Sequence, residues 1–550
     1  MPTRPSSRTA FLTTGLAALL ALTAAGCSSA PDDADEASYK TRLTQAAASQ
    51  SALALMSSAP PPLAAEQERY ADLPPNPVQT VAEQPVSTFS VDVDTASYAN
   101  VRRFLDRGEL PPTDAVRIEE MLNYFRYDYA RPGADGAPFA VHAELLPAPW
   151  KAGRQLLHIG LQGRSLPQGE RPPLNLTLLV DVSGSMGSPD KLPLARKVLK
   201  EMLDRLDARD TLAMAVYAGA AGVVLPPTPC DRRGRILEAL GSLEAGGSTA
   251  GGEGLRLAYD LARQGFEKGK VNRVMILTDG DFNVGLTDPA QLEDVVARER
   301  DGGVYLSVLG FGGGNYNDAL MQRLAQRGNG IAAYIDSVAE GRKVLGADFA
   351  GSMLPIADDV KVQVEFNPQR VREYRLVGYE SRMLRREDFA NDRVDAGDVG
   401  SGHSVTAIYE IVTTDAPAAA TFNEPLRYPP AGGPSAGAGA AGGEQAKTKA
   451  DEFAFVRVRY KPPGSAESRL IERPVTARDR RPTLDAASES ARLAAAVAGY
   501  GLLLRRDPFV DPSFGWPEVI TQANGARGDD PEGYRSGFVQ LARAAQAASR

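Results

Sequence analysis

The sequence predicts an α/β fold: a doubly wound, mostly parallel sheet over residues 171–353 that is inserted in, or flanked by, a β-sandwich-like domain with extra helices. Two observations lead to this prediction. Apolar, strand-like runs alternate with helical patterns through the middle of the chain, which is typical of a parallel sheet covered by helices. On both sides of this stretch, apolar and polar residues alternate with a period of two, which is typical of half-buried antiparallel strands.

The elements of the middle stretch are predicted from their apolar patterns. The run 174–180 is almost continuously apolar, as expected for a strand that is buried on both faces. Further strands are predicted at 211–217, 271–277, 304–309 and 331–335, and helices at 191–206, 231–243, 250–265, 289–300, 317–327 and 339–350.

The flanks of this stretch are predicted to be rich in β-structure. Alternating patterns predict strands at 362–366, 405–411 and 456–460 on the C-terminal side, and near 139–145 and 155–161 on the N-terminal side. Our hypothesis is that the α/β domain is inserted into a sandwich to which both flanks contribute strands. Alanine-rich helices near 483–505 and 531–548 close the chain.

Length and composition exclude several classes of protein. A chain of 550 residues and 58.5 kDa should form more than one domain, at about 100–200 residues per domain. The net charge of −8 argues against a dedicated nucleic-acid binder, which needs a basic face. Two cysteines, Cys27 and Cys230, exclude a disulfide scaffold and a multi-cysteine metal site. Three histidines, far apart in sequence, leave little material for histidine-based chemistry.

The N-terminus has the order of a secretory signal. Arg4 and Arg8 precede an apolar run over residues 10–25, which is too short to span a bilayer comfortably and ends in small residues before Cys27. The segment resembles a bacterial lipoprotein signal, which implies cleavage before Cys27 and a lipid such as palmitate on that residue. Ser28 resembles the sorting preference for the outer membrane of a two-membrane bacterium. Plain secretion is the open alternative.

These patterns divide the chain into five parts. We expect a signal peptide at 1–26, a disordered tether at 27–85, an N-terminal flanking region at 86–170, the α/β domain at 171–353, and a C-terminal β-rich domain with terminal helices at 354–550. Acidic, Ala/Ser-rich and proline-rich segments indicate the tether, because such a composition buries too little apolar surface to order itself. Cys230 is then the one remaining thiol, and we expect it at a helix start or in the core.

Five oxygen-bearing side chains are predicted to meet at one edge of the α/β sheet. Asp181, Ser183 and Ser185 follow the strand 174–180, Thr249 lies just before a helix, and Asp279 follows the strand 271–277. Ligand sites of open α/β sheets lie at the carboxyl ends of the strands. A compact set of oxygen ligands suits a hard cation, with Mg²⁺ favoured and Mn²⁺ or Ca²⁺ as alternatives.

The D-x-S-x-S segment at 181–185, the threonine at 249 and T-D-G at 278–280 resemble the metal-ion-dependent adhesion site of von Willebrand factor type A domains. The resemblance covers about 172–352. Residues 89–104, 116–125 and 374–380 resemble the flanking domains of a group of bacterial lipoproteins that carry such a domain. Together, these resemblances imply an envelope-anchored binding protein with no catalytic residues. Its Mg²⁺ would accept the carboxylate of an Asp or Glu of a protein partner.

Two other functions stay open. The protein could be architectural, with a structural or vestigial metal site. It could also be an enzyme, either a metal-assisted hydrolase or an acylating enzyme, because residues 188–191 fit S-x-x-K, although the companion motifs S-D-N and K-T-G are absent. Asp92 and Asp94 form a second acidic pair, for which turn formation and helix capping are the alternative to metal binding.

Overall fold

The structure is a computed structural model that describes residues 68–133, 136–167, 170–247, 251–280, 289–314, 316–424 and 451–550, all within one unit, Ala65–Arg550. Its strands are β1 (Gln79–Thr80), β2 (Val86–Ser90), β3 (Phe139–Pro147), β4 (Gln155–Gly163), β5 (Leu174–Asp181), β6 (Thr211–Tyr217), β7 (Ala221–Pro229), β8 (Val271–Thr278), β9 (Val304–Phe311), β10 (Ala332–Ile335), β11 (Pro355–Phe366), β12 (Val371–Val377), β13 (Met383–Leu384), β14 (Gly397–Gly400), β15 (Ser404–Thr413), β16 (Glu452–Lys461) and β17 (Arg469–Thr476).

The α-helices are α1 (Ala96–Asp106), α2 (Ile118–Asn123), α3 (Leu192–Met202), α4 (Arg233–Gly241), α5 (Gly251–Gln264), α6 (Pro289–Asp301), α7 (Asp318–Arg327), α8 (Val338–Arg342), α9 (Phe349–Met353), α10 (Glu489–Leu504), α11 (Trp516–Gly525) and α12 (Tyr534–Ala548). No helix of the described ranges is long and apolar enough to cross a membrane.

The middle of the chain forms a six-stranded sheet in the order β10-β9-β8-β5-β6-β7. Strand β5 lies inside the sheet and pairs in parallel with β6 on one side and β8 on the other. Every residue of β5 is buried, as its apolar sequence predicts. The predicted doubly wound α/β domain is therefore confirmed.

Strand β7 was not predicted from the sequence. It contains Pro226, Pro227 and Pro229, and proline cannot donate a hydrogen bond to a neighbouring strand. The strand is nevertheless stable in this position because it is the antiparallel edge strand, next to β6 alone. Its Val223 side chain is 48% exposed at this edge.

The two flanks together form a β-sandwich. One sheet has the order β1-β12-β15-β4-β3, the other β13-β2-β11-β16-β17, and β14 pairs with β11. Strand β4 precedes the α/β domain and pairs with β15, which follows it, over the register from Ser404↔Gln162 to Ile411↔Gln155. This pairing confirms that the α/β domain is inserted into the sandwich.

The sandwich core is built from both sheets. The rings of Phe89 on β2 and Phe366 on β11 contact Tyr409 on β15, with ring centroids 6.3 and 5.3 Å apart. Offset and edge-on aromatic pairs of this kind add to the stability that burial alone provides. The packing therefore fixes the two sheets face to face.

Three C-terminal helices form a second apolar core with the N-terminal flank. Tyr500 on α10 and Phe125 after α2 both contact Phe538 on α12, at 5.3 and 5.5 Å between ring centroids. Helices α10 and α12 correspond to the two predicted helices, whereas α11 was not predicted. The predicted helix 339–350 is divided into α8, a π-helical turn at Lys343–Ala347 and α9.

The folded part begins earlier than the predicted tether boundary at residue 85. The Arg69 amide donates to the Tyr316 carbonyl at 3.0 Å, and Asn76 donates to the carbonyls of Leu376 and Gly378. Strand β1 pairs with β12, and Val81 is buried. Residues 68–85 are thus ordered by hydrogen bonds to the folded domains, which their proline-rich composition does not indicate. The rest of the predicted tether and the signal peptide lie outside the described residues.

Candidate metal site

The site lies at the carboxyl edge of the α/β sheet, where β5 and β8 end side by side. The two strands are paired in parallel through Val180↔Leu277, so Asp181 and Thr278 end the strands next to each other. Asp181 and Asp279 are both fully buried. The sheet therefore brings together two acids that are far apart in sequence.

The Asp181 carboxylate is held by three hydrogen bonds. Its Oδ1 accepts from the Ser183 amide at 2.9 Å, and its Oδ2 accepts from the Tyr217 and Thr278 hydroxyls, each at 3.1 Å. Burial raises the pKa of Asp181, and repulsion from Asp279 raises it further, while hydrogen bonds from Ser183 and Tyr217 lower it. The carboxylate is therefore held in place by groups of three different segments: the loop after β5, the end of β6 and the end of β8.

The two serines lie on a loop that is fixed to its neighbours by backbone hydrogen bonds. The Gly184 amide donates to the Gly247 carbonyl at 3.0 Å, and the Gly246 amide donates to the Val182 carbonyl at 2.8 Å. Ser183 lies just before a short 3₁₀ turn, Gly184–Gly187, which contains Ser185 and buries Met186. In this geometry the Ser183 and Ser185 hydroxyls form a hydrogen bond with each other, with 3.0 Å between their oxygens.

Asp279 follows β8 and forms an ion pair inside the site. The Lys191 ammonium donates to its Oδ2 at 2.9 Å. The next residue, Gly280, has φ = +94°, a conformation that favours glycine and turns the chain sharply away from the strand. Its amide donates to the Thr278 hydroxyl at 3.1 Å.

The structure places four of the five predicted ligands at this edge: Asp181, Ser183, Ser185 and Asp279. Thr249 lies outside the described residues, as does the predicted lipidation site, Cys27. The assignment of these side chains as metal ligands stays a prediction, but their common location follows from the strand order.

The residues present fit Mg²⁺. Adjacent ligands of an octahedral ion at about 2.1 Å are separated by about 3.0 Å, which matches the spacing between the Ser183 and Ser185 hydroxyls. The remaining described donors are carboxylate oxygens, which hard cations also prefer. Hydroxyl and carboxylate donors in this spacing therefore suit a small, octahedral cation.

Two side chains of the site, Lys191 and Tyr217, were not identified as site residues from the sequence, and Thr278 was named only as part of the T-D-G motif. Tyr217 ends β6 on the same edge as Asp181, so the rule that placed Asp181 also places Tyr217. In the sequence, Lys191 stands out only as the lysine of S-x-x-K. Its ion pair with Asp279 spans 88 positions in the chain, which no local pattern reveals.

The geometry of S-x-x-K does not form the serine–lysine pair that an acylating enzyme needs. The Ser188 hydroxyl donates to Asp190 Oδ1 at 2.5 Å, while the Lys191 ammonium is bonded to Asp279. A nucleophilic serine requires its base within hydrogen-bond reach. The match to S-x-x-K is therefore better explained by structural contacts: Ser188 stabilises the loop, and Lys191 neutralises the charge of Asp279.

The second acidic pair, Asp92 and Asp94, forms structural contacts. Asp92 Oδ1 accepts from the Asp94 amide, as expected for a turn, and Asp94 Oδ1 accepts from the Ala332 amide at 2.7 Å. Arg382 donates to both carboxylates, at 3.0 and 2.9 Å.

Within the described ranges, no group of three or more His, Cys, Asp or Glu side chains is arranged to hold a metal.

Cys230 lies between β7 and α4 and is a free thiol of intermediate exposure. Burial raises the pKa of this thiol to about 12, and the neighbouring carboxylates of Asp210 and Asp207 contribute to the rise. The position just before α4 agrees with the expected location near a helix start.

Comparison with protein families gives three matches along the chain. The family model described as "von Willebrand factor type A domain" matches residues 175–344. The models described as "von Willebrand factor" and "Uncharacterized protein YfbK, C-terminal" match residues 64–158 and 351–548. The match to "von Willebrand factor" begins at residue 64, in agreement with the finding that the chain is already folded before residue 85.

Similar proteins include "Uncharacterized protein YfbK" from Escherichia coli (strain K12), 43% identical over 480 residues, which covers 86% of this chain and 80% of that protein. Inter-alpha-trypsin inhibitor heavy chain H4 from Homo sapiens is 29% identical over 171 residues, 30% of this chain and 18% of that protein. A solved structure titled "von Willebrand factor type A from Catenulispora acidiphila" covers 76% of this chain and 91% of its own, at 17% identity and a TM-score of 0.40.

The match to YfbK extends over both flanks and the α/β domain between them. The chain therefore belongs to the YfbK family, and its inserted α/β domain is a von Willebrand factor type A domain.

Proposed function

We propose that this protein recognises a protein partner through a Mg²⁺-dependent site in its von Willebrand factor type A domain, hereafter the A domain. The main support for the proposal is that the Ser183 and Ser185 hydroxyl oxygens, 3.0 Å apart, lie at the same sheet edge as two buried carboxylates. Von Willebrand factor type A domains commonly mediate protein–protein interactions, which supports the same class of function.

The four described candidate ligands divide into two groups in this proposal. Ser183 and Ser185 would hold the cation directly, while Asp181 and Asp279 supply the negative charge that balances it. Thr249 is proposed as a further ligand. When bound, Mg²⁺ supplies an electrophilic position that accepts an Asp or Glu carboxylate of the partner, with Mn²⁺ or Ca²⁺ as substitutes.

We also propose that the protein is anchored to the cell envelope by a lipid on Cys27. The support is the sequence order of basic residues, apolar run and small residues before this cysteine. The residues between Cys27 and the folded domains would then set the distance of the A domain from the membrane. The outer membrane of a two-membrane bacterium is the proposed location, with the domain facing the periplasm or the outside.

A second candidate function is architectural. It is favoured by the buried ion pair between Arg117 of the N-terminal flank and Asp318 of the A domain, because such a contact fixes the domains to each other. In that case the metal site would be structural or vestigial. Mg²⁺ would then change the thermal stability of the protein without changing any interaction with a partner.

The proposed function is tested by a cross-linked pull-down from cells that express the full-length protein. Wild type and Asp181→Ala are compared, each with and without EDTA. We expect partners that are captured by wild type with Mg²⁺ and lost with EDTA or with Asp181→Ala, although the variant stays folded. Capture that is unchanged by both treatments contradicts metal-dependent recognition, and an effect of Mg²⁺ on melting temperature alone supports the architectural role.

A further inference from the structure

Lys191 places a positive charge inside the candidate metal site. Its ammonium donates to Asp279 Oδ2 at 2.9 Å, and the two residues are 8% and 0% exposed. A buried ion pair of this kind is strongly coupled, since little water screens it. The lysine is therefore part of the electrostatics of the site.

The backbone and the stem of Lys191 are held in place by the fold. The Lys191 amide donates to the Ser188 carbonyl, and the Lys191 carbonyl accepts from Ala195 in the first turn of α3. The stem packs on Gly312, where an added Cβ would come within 2.4 Å of Lys191 Cγ and Cε. Gly312 has φ = +64°, so its backbone also favours glycine. These contacts hold the Lys191 ammonium in its position beside Asp279.

A charge count gives Lys191 a specific role. Asp181, Asp279 and Lys191 together carry one net negative charge. A bound Mg²⁺ changes the sum to one positive charge, and one carboxylate of a ligand then makes it neutral. Without the lysine charge, Mg²⁺ alone would already neutralise the two acids, and a ligand carboxylate would add an excess negative charge.

We infer that Lys191 sets the charge preference of the site: it weakens binding of the cation alone and strengthens binding of a carboxylate to the metal-loaded site. The inference rests on the proposed function and deepens it. Because the metal and the carboxylate attract each other directly, each also tightens binding of the other by the same factor. The site then retains its cation mainly while an acidic partner is bound.

The test is a titration of the purified full-length protein in detergent with Mn²⁺, followed by electron paramagnetic resonance. Mn²⁺ replaces Mg²⁺ as a visible probe, and acetate serves as the carboxylate. In wild type, saturating acetate should lower the Kd for Mn²⁺ by about tenfold, given the strength of charge interactions at a partly buried site. In Lys191→Met, Mn²⁺ alone should bind about tenfold more tightly, and about tenfold more acetate should be needed to half-saturate the Mn²⁺-loaded site.

A matched control is Lys197→Met, which removes the same charge from the exposed face of α3 and should change the Kd for Mn²⁺ by less than about twofold. Lys191→Gln serves as a second variant, and circular dichroism verifies the fold of each. Lys191→Gln removes the charge and keeps a polar side chain, so it tests the inference where Lys191→Met disturbs folding.

Three outcomes decide the inference. Equal or weaker Mn²⁺ binding by Lys191→Met, or acetate binding to the Mn²⁺-loaded site that the substitution does not weaken, overturns the role of Lys191 and leaves the proposed metal site intact. Wild type that binds no Mn²⁺ at millimolar concentration, like Asp181→Ala, overturns both the inference and the proposed function. Tighter Mn²⁺ binding together with weaker acetate binding to the loaded site in Lys191→Met supports the inference.

Discussion

The Arg117 guanidinium forms two hydrogen bonds with the Asp318 carboxylate, at 2.6 Å from Nη1 to Oδ2 and 2.9 Å from Nη2 to Oδ1. Arg117 lies just before α2 in the N-terminal flank, and Asp318 is the first residue of α7 in the A domain. The two residues are 7% and 0% exposed. This pair therefore joins the inserted domain to its flank inside the protein, away from solvent.

Asp318→Ala is expected to lower the free energy of unfolding by about 3 kcal/mol, because it leaves the buried Arg117 charge without this partner. Glu201→Ala is the matched control: it removes the exposed partner of Arg342 and should cost less than about 1 kcal/mol. Urea unfolding of both variants measures the difference. Equal losses in the two variants would show that the buried pair does not hold the domains together.

Glu119 on α2 is expected to make the protein less stable as the pH rises. Burial raises its pKa to about 8, and the carboxylates of Glu380, Asp92 and Glu120 add to the rise. Between the ordinary pKa near 4.5 and about 8, the unfolded chain loses this proton while the folded chain keeps it. Ionisation therefore favours the unfolded state, and stability from this group falls over that range of pH.

Glu119→Gln removes this penalty. We expect the variant to be more stable than wild type at pH 8 by on the order of 2 kcal/mol, and the difference to be much smaller at pH 5. Melting temperatures measured from pH 5 to pH 8.5 test the prediction. A difference that does not depend on pH would mean that Glu119 is ionised in the folded protein at all these values.

Cys230 is expected to react slowly with thiol reagents, because burial raises its pKa to about 12 and the thiolate is the reactive form. In a Cys27→Ser variant it is the sole cysteine of the chain. Its reaction with a chromogenic disulfide reagent at pH 8 should be at least about tenfold slower in the folded protein than in guanidinium chloride. Equal rates would contradict a protected thiol.

Cys27 is expected to carry the lipid. Cells that express the full-length protein and are fed an alkyne analogue of palmitate should label wild type and not Cys27→Ser, and the variant should leave the membrane fraction. Cys230→Ser is the control, since it removes the other cysteine and should keep the label. Label that persists in Cys27→Ser would place the lipid elsewhere, and absence of label from wild type would favour plain secretion.

The parts of the fold that local patterns determine were predictable. Strand β5 is apolar throughout because both of its faces are buried, and its carboxyl end indicates where Asp181, Ser183 and Ser185 lie. Period-two patterns indicated strands on both sides of the insertion, and β4 and β15 pair as the insertion hypothesis requires. These two strands are buried at nearly every residue, however, and not on one face alone as the period-two pattern indicated.

Features that depend on distant partners were not predictable. Strand β7 carries three prolines and is possible only as an edge strand, a position that the full sheet defines. Residues 68–85 are ordered by hydrogen bonds to β12 and to Tyr316, which a composition argument cannot include. Lys191 meets Asp279 because α3 begins beside the end of β8, so its role emerges from topology.

The central claim is that Ser183 and Ser185 hold a divalent cation beside Asp181 and Asp279. Its most direct test is the anomalous diffraction of a crystal of the protein grown with Mn²⁺. We expect one strong peak within about 2.2 Å of both serine hydroxyl oxygens, and no such peak in Asp181→Ala crystals grown in the same way. A wild-type crystal that shows no peak at this edge, with Lys191 still bonded to Asp279, would contradict the claim.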